Sequence, residues 1–335
     1  MSPTSPPGRT TLVKENLPMV AVIRLPLPFA LKEIKIYLIA GNHGYGLLDT
    51  GPNTEAARKA LEAGLAQLGV PFEAISTIFI SHYHSDHAGL AGWVKKRSGA
   101  KILMDAQDSR DLAKFMKGSP AGFIDPHFLG QHGMSQERID IIGQALIGLK
   151  DLIVPFAADE LVQDGQDIYL GSLGLSCFRT PGHTPGHTCL YYEPDNILFC
   201  GDHLLKEITP TVSAGSKIDH PNPLGAYLDS LRRTAVLNPR LALTAHGPDI
   251  ADPGQRVDEI VHHHDKRKGI IKFILADRPK TCQEITSALF LDEISLLEKM
   301  IAFNECYAHL IDMEMEGSVR RIEEQHLVKF CLRDN

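Results

Sequence analysis

The 335-residue sequence has no run of roughly 18 uninterrupted apolar residues, the length that a membrane-spanning helix needs. Its first 18 residues contain proline, serine and threonine where a secretory signal peptide would have its apolar stretch. We therefore expect a chain that does not cross a membrane and that is located in the cytoplasm.

Cysteine pairs of the C-x-x-C type are also absent. The six cysteines are scattered along the chain, and several lie inside apolar runs. Free, buried thiols in a reducing compartment explain this pattern better than a disulfide framework does.

The sequence lacks an excess of basic residues. It has 34 Lys plus Arg against 41 Asp plus Glu, which gives a net charge of -7. A field of this sign does not attract phosphate backbones, so nucleic-acid binding is not excluded but is not favoured. Hydrophobic residues at 43% and charged residues at 22% are typical of a globular protein and exclude a disordered or fibrous one.

The length favours two domains, and the alternation of strand-like and helix-like segments predicts a layered α/β core. We place the division between residues 262 and 263, with a small helical domain over 263–335. A glycine-, proline- and aromatic-rich stretch, 118–133, is interpreted as an insertion. Strands are predicted over 34–40, 46–49, 75–80, 101–104, 161–163, 167–170, 173–179, 188–192, 197–200 and 241–244. Helices are predicted from a cap at Asn53 and over 88–96, 135–149, 224–237 and 255–275.

Four side chains that can bind metals follow the predicted buried strand Ile75–Ile80. His82 and His84 can face the same ion, because alternate residues of an extended segment point to one side. Asp86 and His87 follow as the chain turns into a helix, and they can point at a second ion. Imidazoles and a carboxylate at a strand end need polar partners, so packing explains this cluster poorly. The pattern predicts a metal site at the carboxyl end of this strand.

Three more groups of such residues each follow a predicted strand. They are Thr180–His187, which contains His183, Cys200–His203, which contains Asp202, and Ala245–Pro248, which contains His246. We expect the four groups to converge on one edge. A carboxylate such as Asp202 can bridge two cations about 3.5–4 Å apart, which can share a hydroxide and stabilise an oxyanion. This arrangement is typical of a hydrolase.

These residues resemble the metallo-β-lactamase superfamily, whose H-x-H-x-D-H motif is matched by His82, His84, Asp86 and His87. The resemblance covers about residues 20–262. It implies a four-layered αββα sandwich with the metals at one edge of the paired sheets.

The resemblance also implies a set of metal ligands. One ion would be held by His82, His84 and His183, the other by Asp86, His87 and His246, with Asp202 bridging the two. Asp49, in a D-T-G turn, would support a ligand. The ions expected are two Zn²⁺ per chain, with iron or manganese as alternatives.

Particular branches of the superfamily can be distinguished by sequence. Flavodiiron oxygen reductases have glutamate where His84 stands, which disfavours that branch. Pro181–His187 and Gly201–Leu204 are most similar to glyoxalase II-like hydrolases and lactamase-beta-like endoribonucleases. The endoribonucleases carry a C-terminal winged helix, and Lys280–Ile285, with the helix and two-stranded wing predicted after it, is similar. We therefore expect a winged-helix-like C-terminal domain.

Two histidines near the predicted ligands have other interpretations. His187 is expected to be a hydrogen-bonded structural residue. His203 either supports the metal site or donates a proton to the leaving group, and with Asp86 it is a candidate catalytic residue.

Further histidines lie outside the motif. His262–His264 are expected on a solvated helix face, because three successive helical residues point in different directions. In the insertion, substrate contact and loop packing are both open interpretations for His127, His132, Phe123 and Phe128.

The reaction expected from this site is attack by a metal-bridging hydroxide on a carbonyl polarised by one metal. Asp86 would orient the hydroxide and accept its proton. A thiolate is the easiest leaving group, because its low pKa requires no general acid. A small-molecule thioester or related ester is therefore the expected substrate, and the sequence favours no oligomeric state.

Three alternatives remain open. The resemblance to endoribonucleases implies RNA cleavage, although residues 265–335 carry 11 basic and 13 acidic residues, where a nucleic-acid-binding domain usually has a basic face. A mononuclear iron persulfide dioxygenase also uses this fold. A non-catalytic interaction protein would be expected to have lost ligands, whereas all seven positions are filled here.

Overall fold

The computed structural model describes residues 10–12, 17, 19–28, 31–117, 125–212, 221–290 and 296–333. The strands in these ranges are β1 Thr10–Leu12, β2 Val20–Pro26, β3 Glu33–Ile39, β4 Tyr45–Leu48, β5 Ile75–Ile80, β6 Lys101–Asp105, β7 Glu160–Val162, β8 Asp167–Leu170, β9 Leu173–Arg179, β10 Thr188–Tyr192, β11 Ile197–Gly201, β12 Leu241–Thr244, β13 Lys280–Thr281, β14 Val319–Glu324 and β15 Leu327–Leu332. The α-helices are α1 Glu55–Gln67, α2 Ser85–Ala88, α3 Ala91–Ser98, α4 Ala106–Met116, α5 Pro126–Gln131, α6 Gln136–Lys150, α7 Pro223–Leu237, α8 Pro253–Ile274, α9 Cys282–Leu289 and α10 Leu296–Met315.

The strands form three sheets. The first has the order β1-β2-β3-β4-β5-β6-β7 and is antiparallel up to β4 and parallel from β4 to β7. The second has the order β12-β11-β10-β9-β8, and its β11–β12 pair is parallel. The third, β13-β15-β14, is antiparallel. The parallel pairs place several strand ends at one edge of each large sheet.

The two large sheets pack face to face. Buried side chains from both fill the space between them, including Val20 and Phe79 from the first sheet and Leu190 from the second. Tyr37 and Phe199 meet across this space edge to face, with ring centroids 5.3 Å apart. Burial of these apolar side chains stabilises the pairing of the sheets.

Helices cover the outer face of each large sheet. Apolar residues of α1, α3 and α4 pack on the first sheet. Those of α7 and α8 pack on the second, together with residues of α9 and α10. The layers follow the order helix, sheet, sheet, helix, which confirms the predicted αββα sandwich. None of the helices within the described ranges is long and apolar enough to cross a membrane.

The C-terminal segment shares its core with the rest of the chain. Helix α8 runs through the predicted boundary at residues 262 and 263. Phe303 and Leu310 of α10 are buried in the same cluster as Leu228 and Leu231 of α7. The predicted wing coincides with the hairpin β14–β15. The division into two domains and the assignment of a winged helix stay predictions.

Several elements have the predicted bounds, among them β5, β8, β9, β10 and β12. The cap of α1 is different, since Thr54 accepts the Ala57 N–H at 3.1 Å while the predicted cap, Asn53, donates to Asp151 O. The predicted helix 88–96 is interrupted at Gly89, where a Cβ would lie 2.7 Å from the Gly51 oxygen. All six cysteines are buried and free, as expected.

Candidate metal centre

The predicted ligands lie at strand ends of both large sheets. His82 follows β5, and His84 is the N-cap of α2, so the short segment between strand and helix carries the motif. Asp202 follows β11, and His246 lies two residues beyond β12. His183 lies in the loop between β9 and β10. The structure brings these groups together, as the strand-end pattern predicts.

A first cluster contains three histidines. Nε2 of His82 and Nε2 of His183 each lie 3.0 Å from Nδ1 of His84. Burial lowers the pKa of all three, that of His84 to about 3, so the imidazoles are neutral at pH 7. Neutral imidazole nitrogens that converge on one point are a typical donor set for Zn²⁺.

A second cluster contains Asp86, His87 and His246. Oδ2 of Asp86 lies 3.4 Å from Nε2 of His246 and 3.8 Å from Nε2 of His87. Burial by itself raises the pKa of Asp86, but His87 and His246 outweigh burial and lower it to about 2. Asp86 is therefore a carboxylate that can serve as an oxygen ligand.

Asp202 lies between the two clusters. Its Oδ2 is 3.6 Å from Nε2 of His183, on the first cluster. Its Oδ1 is 3.5 Å from Nε2 of His87 and 3.4 Å from Nε2 of His246, on the second. Each oxygen of one carboxylate thus faces a different cluster.

The second cluster and the Asp202 oxygen that faces it include buried polar atoms that lack partners. Within the described residues, Nε2 of His87, Nε2 of His246 and Oδ1 of Asp202 have no hydrogen bond. Burying such atoms without partners is costly, and an unpartnered group in a native fold calls for an explanation such as an ion. These His and Asp clusters fit a divalent metal.

The ring nitrogens that face away from the clusters are held in place. Nδ1 of His87 donates to Oδ2 of Asp49 at 2.8 Å. His183 donates from Nδ1 to the Thr211 oxygen at 2.7 Å, and His246 donates to the Glu33 oxygen at 3.0 Å. In the neutral imidazole each bond leaves the lone pair on Nε2, on the side of the cluster, which is the usual arrangement around a metal-binding histidine. The Asp49 contact agrees with its expected supporting role.

His187 makes hydrogen bonds through both ring nitrogens. Its Nδ1 lies 2.8 Å from Thr180 Oγ1, and its Nε2 accepts the Asp202 N–H at 3.1 Å. Because Nε2 accepts, Nδ1 carries the proton and donates to the Thr180 hydroxyl. His187 therefore has the hydrogen-bonded structural position that was expected.

His203 lies outside both clusters. Its side chain is fully buried, and its Nε2 lies 2.8 Å from the Thr234 hydroxyl, which itself donates to the Ser230 oxygen. Nε2 must therefore donate to Thr234. Burial and then His183 lower the pKa of His203 to about 3, so its single proton is committed to Thr234. This geometry disfavours the predicted role of proton donor to the leaving group.

The described part of the insertion, residues 125–133, packs against the C-terminal segment. The rings of Phe128 and His132 both lie 4.9 Å from the ring of Tyr307 on α10. The backbone N–H of Gln283 also donates to the His132 oxygen. For these two insertion residues the structure therefore favours loop packing over substrate contact, whereas Phe123 lies outside the described residues.

The prediction of a solvated face is correct for His262 and wrong for His264. His262 is exposed, whereas His264 is fully buried with Nδ1 3.0 Å from Nε2 of His309. The buried position arises because α10 packs over this side of α8.

Two buried charged residues that hold the site were missed. Lys35 donates to Asp249 at 2.5 Å and to Thr244 Oγ1 at 2.9 Å, next to the His246 loop. Asp108 bonds to both loops of the first cluster; burial raises its pKa, whereas the hydrogen bonds from Thr184, Gly186 and Tyr83 favour its carboxylate form. Asp108 follows β6, so the strand-end signal used for Asp86 could have found it.

The sequence matches the model of the Metallo-beta-lactamase superfamily over residues 33–246. It is 27% identical to a probable metallo-hydrolase of Bacillus subtilis (strain 168) over 333 residues, which are 93% of this chain and 97% of that protein. It is 24% identical to an atrochrysone carboxyl ACP thioesterase of Paecilomyces divaricatus over 308 residues, 91% of this chain and 79% of the relative.

Two solved structures are similar over nearly the whole chain. A metallo-beta-lactamase family protein from Thermus thermophilus has a TM-score of 0.83 and 30% identity, covering 95% of this chain and 99% of that one. A beta-lactamase domain protein from Burkholderia ambifaria has a TM-score of 0.86 and 25% identity, covering 98% and 96%. With the family match and the αββα layers, these similarities show that the chain belongs to the metallo-β-lactamase superfamily.

Proposed function

We propose that this protein is a dinuclear metal-dependent hydrolase that cleaves a thioester or a related ester. The position of Asp202 is the observation that carries the proposal, because its two oxygens face two separate donor clusters. Relatives named metallo-hydrolase and thioesterase support hydrolysis as the reaction.

In this proposal each cluster holds one ion. His82, His84 and His183 would bind the first, Asp86, His87 and His246 the second, and Asp202 would bridge them. Imidazole nitrogens and carboxylate oxygens suit Zn²⁺, and iron or manganese accept the same donors. When bound, the pair of cations would lower the pKa of a water molecule and polarise the substrate carbonyl.

Asp86 is the residue that we assign to the proton of the attacking water. Its side chain is 15% exposed, whereas that of Asp202 is 9% exposed, so Asp86 lies closer to the solvent from which water and substrate arrive. With a pKa of about 2, it is a carboxylate at neutral pH and can accept a hydrogen bond that orients the water.

The environment of His203 favours a thioester over other substrates. Its proton is committed to Thr234, and its low pKa keeps it from carrying a second proton near pH 7. A leaving group that departs as a thiolate needs no proton, whereas an alkoxide or an amine does. The thioesterase relative supports the same substrate class.

Metal analysis and a substrate panel test the proposal together. We expect the purified protein to contain two divalent ions per chain and to hydrolyse small acyl thioesters faster than the matching oxygen esters. RNA in the same buffer should remain intact, and its binding should not show the steep loss with added salt that phosphate contacts cause.

Other outcomes would contradict the proposal. A single iron ion with full activity, and oxidation of a persulfide instead of thioester hydrolysis, would replace it with the dioxygenase. Strong metal-dependent RNA cleavage with inert thioesters would replace it with the endoribonuclease.

A further inference from the structure

Asp108 is a fully buried carboxylate in the first turn of α4. Its Oδ2 accepts the Tyr83 N–H at 3.1 Å and the Thr184 hydroxyl at 2.6 Å. Its Oδ1 accepts the Gly186 N–H at 2.6 Å. One side chain thus binds two loops that belong to different sheets.

The three bonds end next to the first histidine cluster. Tyr83 lies between His82 and His84, and Thr184 follows His183 directly. The separation of these two loops decides whether the three ring nitrogens converge. A backbone hydrogen bond from the Thr188 N–H to the Ser81 oxygen also joins the loops. Ser81 comes before His82, so this bond lies at the base of the loops, whereas Asp108 binds them beyond His82 and His183.

We propose that Asp108 is a positioning residue that fixes the spacing of the His82–His84 segment and His183, and thereby the metal affinity of the first cluster. This inference rests on the metal binding proposed above. Asp108 touches neither the ligand nitrogens nor the reacting atoms, so it acts through the two loops.

The chemistry of the contact requires a carboxylate. Three donors converge on two oxygens, and an acceptor-only group can satisfy all of them. An amide of the same shape would turn its NH₂ group toward at least one of these donors. Since Asp108 is buried, water cannot readily replace a lost bond.

The loop that carries His183 packs tightly against the start of α4 and has little room to shift. A Cβ at Gly186 would collide with the carboxylate of Asp105, the N-cap of α4, and would lie 2.7 Å from the Asp108 nitrogen. The His183 loop is therefore pressed against the start of α4. A change in the bonds of Asp108 cannot be absorbed without movement of this loop.

The test measures zinc affinity instead of turnover. Metal-free wild type and Asp108→Asn would be titrated with Zn²⁺ against a competing chelator. We expect one of the two zinc ions to bind about tenfold or more weakly in the variant, the loss that follows when a partner supporting a metal ligand is removed. Thr184→Val should show a smaller loss, and Thr184→Ser, which keeps the hydroxyl, should restore the wild-type affinity.

Zinc binding by wild type tests the proposed function, and zinc binding by the variants tests the positioning role of Asp108. If wild type binds no divalent ion, the proposed function fails. If wild type binds two ions and a folded Asp108→Asn retains both affinities within about twofold, the positioning role is overturned. Should Asp108→Asn fail to fold, the Thr184 pair decides, because equal affinities of the Val and Ser variants would contradict the inference.

Discussion

The backbone N–H of Asp202 donates a 3.1 Å hydrogen bond to Nε2 of His187. This bond occupies the lone pair that His187 would need for a metal, and it helps to fix the carboxylate that faces both clusters. His187 therefore orients Asp202, while Asp202 itself is the proposed bridge.

The two residues should differ in mutagenesis. Asp202→Asn should lose an ion and reduce activity by about 100-fold or more, because it removes the negative charge between the clusters. His187→Gln should retain two ions and lose activity about tenfold or less. Metal content and thioester turnover would be measured on both variants. Equal losses at matched metal occupancy would place His187 among the ligands.

Asp49→Asn is predicted to weaken the second cluster. Asp49 accepts from His87 Nδ1 and from both the N–H and the hydroxyl of Ser81. The substitution removes the charge-assisted bond that holds the proton of His87 on Nδ1 and so keeps the lone pair on Nε2. The affinity for one zinc ion should therefore fall about 10–100-fold. Ser81→Ala, which keeps the Asp49–His87 bond, is the matched control and should lose less.

Zinc titration distinguishes the outcomes. The ion weakened by Asp49→Asn should differ from the one weakened by Asp108→Asn, so the double variant should bind both ions weakly. Unchanged affinity in Asp49→Asn would mean that the His87 orientation is set by packing alone.

Much of the candidate site was predictable because the proposed ligands are local in sequence. Four of them lie within six residues after β5, and each of the others follows a strand-like run. The bonds that support the ligands were not predictable in the same way. Lys35 and Thr244 are 209 residues apart in sequence, and Asp108 and Thr184 are 76 apart. Such pairs depend on how the two sheets meet, which no local pattern encodes.

The three adjacent histidines on α8 show a second reason why a sequence-based prediction was wrong. Three adjacent histidines in a charged segment are typical of a solvated face, and His262 fulfils this expectation. His264 is buried because α10, far along the chain, covers it, and His309 of α10 accepts its Nδ1 proton. The periodicity of strands and helices predicted a layered α/β core, and the resemblance to the superfamily implied the αββα sandwich, whereas the His264–His309 contact required the tertiary structure.

The His264–His309 pair gives a prediction for stability against pH. Burial lowers the pKa of His264 to about 2 and that of His309 to about 4, whereas an unfolded histidine titrates near 6.5. The unfolded state therefore binds more protons below about pH 6.5, and stability falls as pH decreases. The groups around the pair are Tyr227, His263, Arg267, Lys268 and Glu305.

Removing one histidine should reduce this acid sensitivity. His309→Gln is expected to be less stable than wild type at pH 8. The difference in free energy of unfolding, the gap between the two proteins, should shrink by about 2 kcal/mol by pH 5. This is the value for one proton bound by the unfolded wild type over the 1.5 pH units below 6.5. Chemical unfolding of metal-free protein at both pH values measures the gap. His262→Gln, at an exposed position, should show the same stability difference from wild type at both. A constant gap for His309→Gln would refute the prediction.

The final prediction concerns the C-terminal segment. Phe303 of α10 is fully buried in the core that also contains Leu228 and Leu231 of α7, so the outer layer over the second sheet depends on this segment. Phe303→Ala should lower the free energy of unfolding by about 3–5 kcal/mol, because it removes a buried ring and leaves a cavity. Phe273 is 82% exposed, and Phe273→Ala should change stability by less than about 0.5 kcal/mol.

The metal content of the folded protein should not change in either variant, because every proposed ligand lies at or before His246. Chemical unfolding and metal analysis of the same preparations separate the two effects. A folded Phe303→Ala that lost its ions would show that the segment also shapes the metal site. A stability loss no larger than that of Phe273→Ala would instead mean that the packing of α10 against α7 does not stabilise the fold.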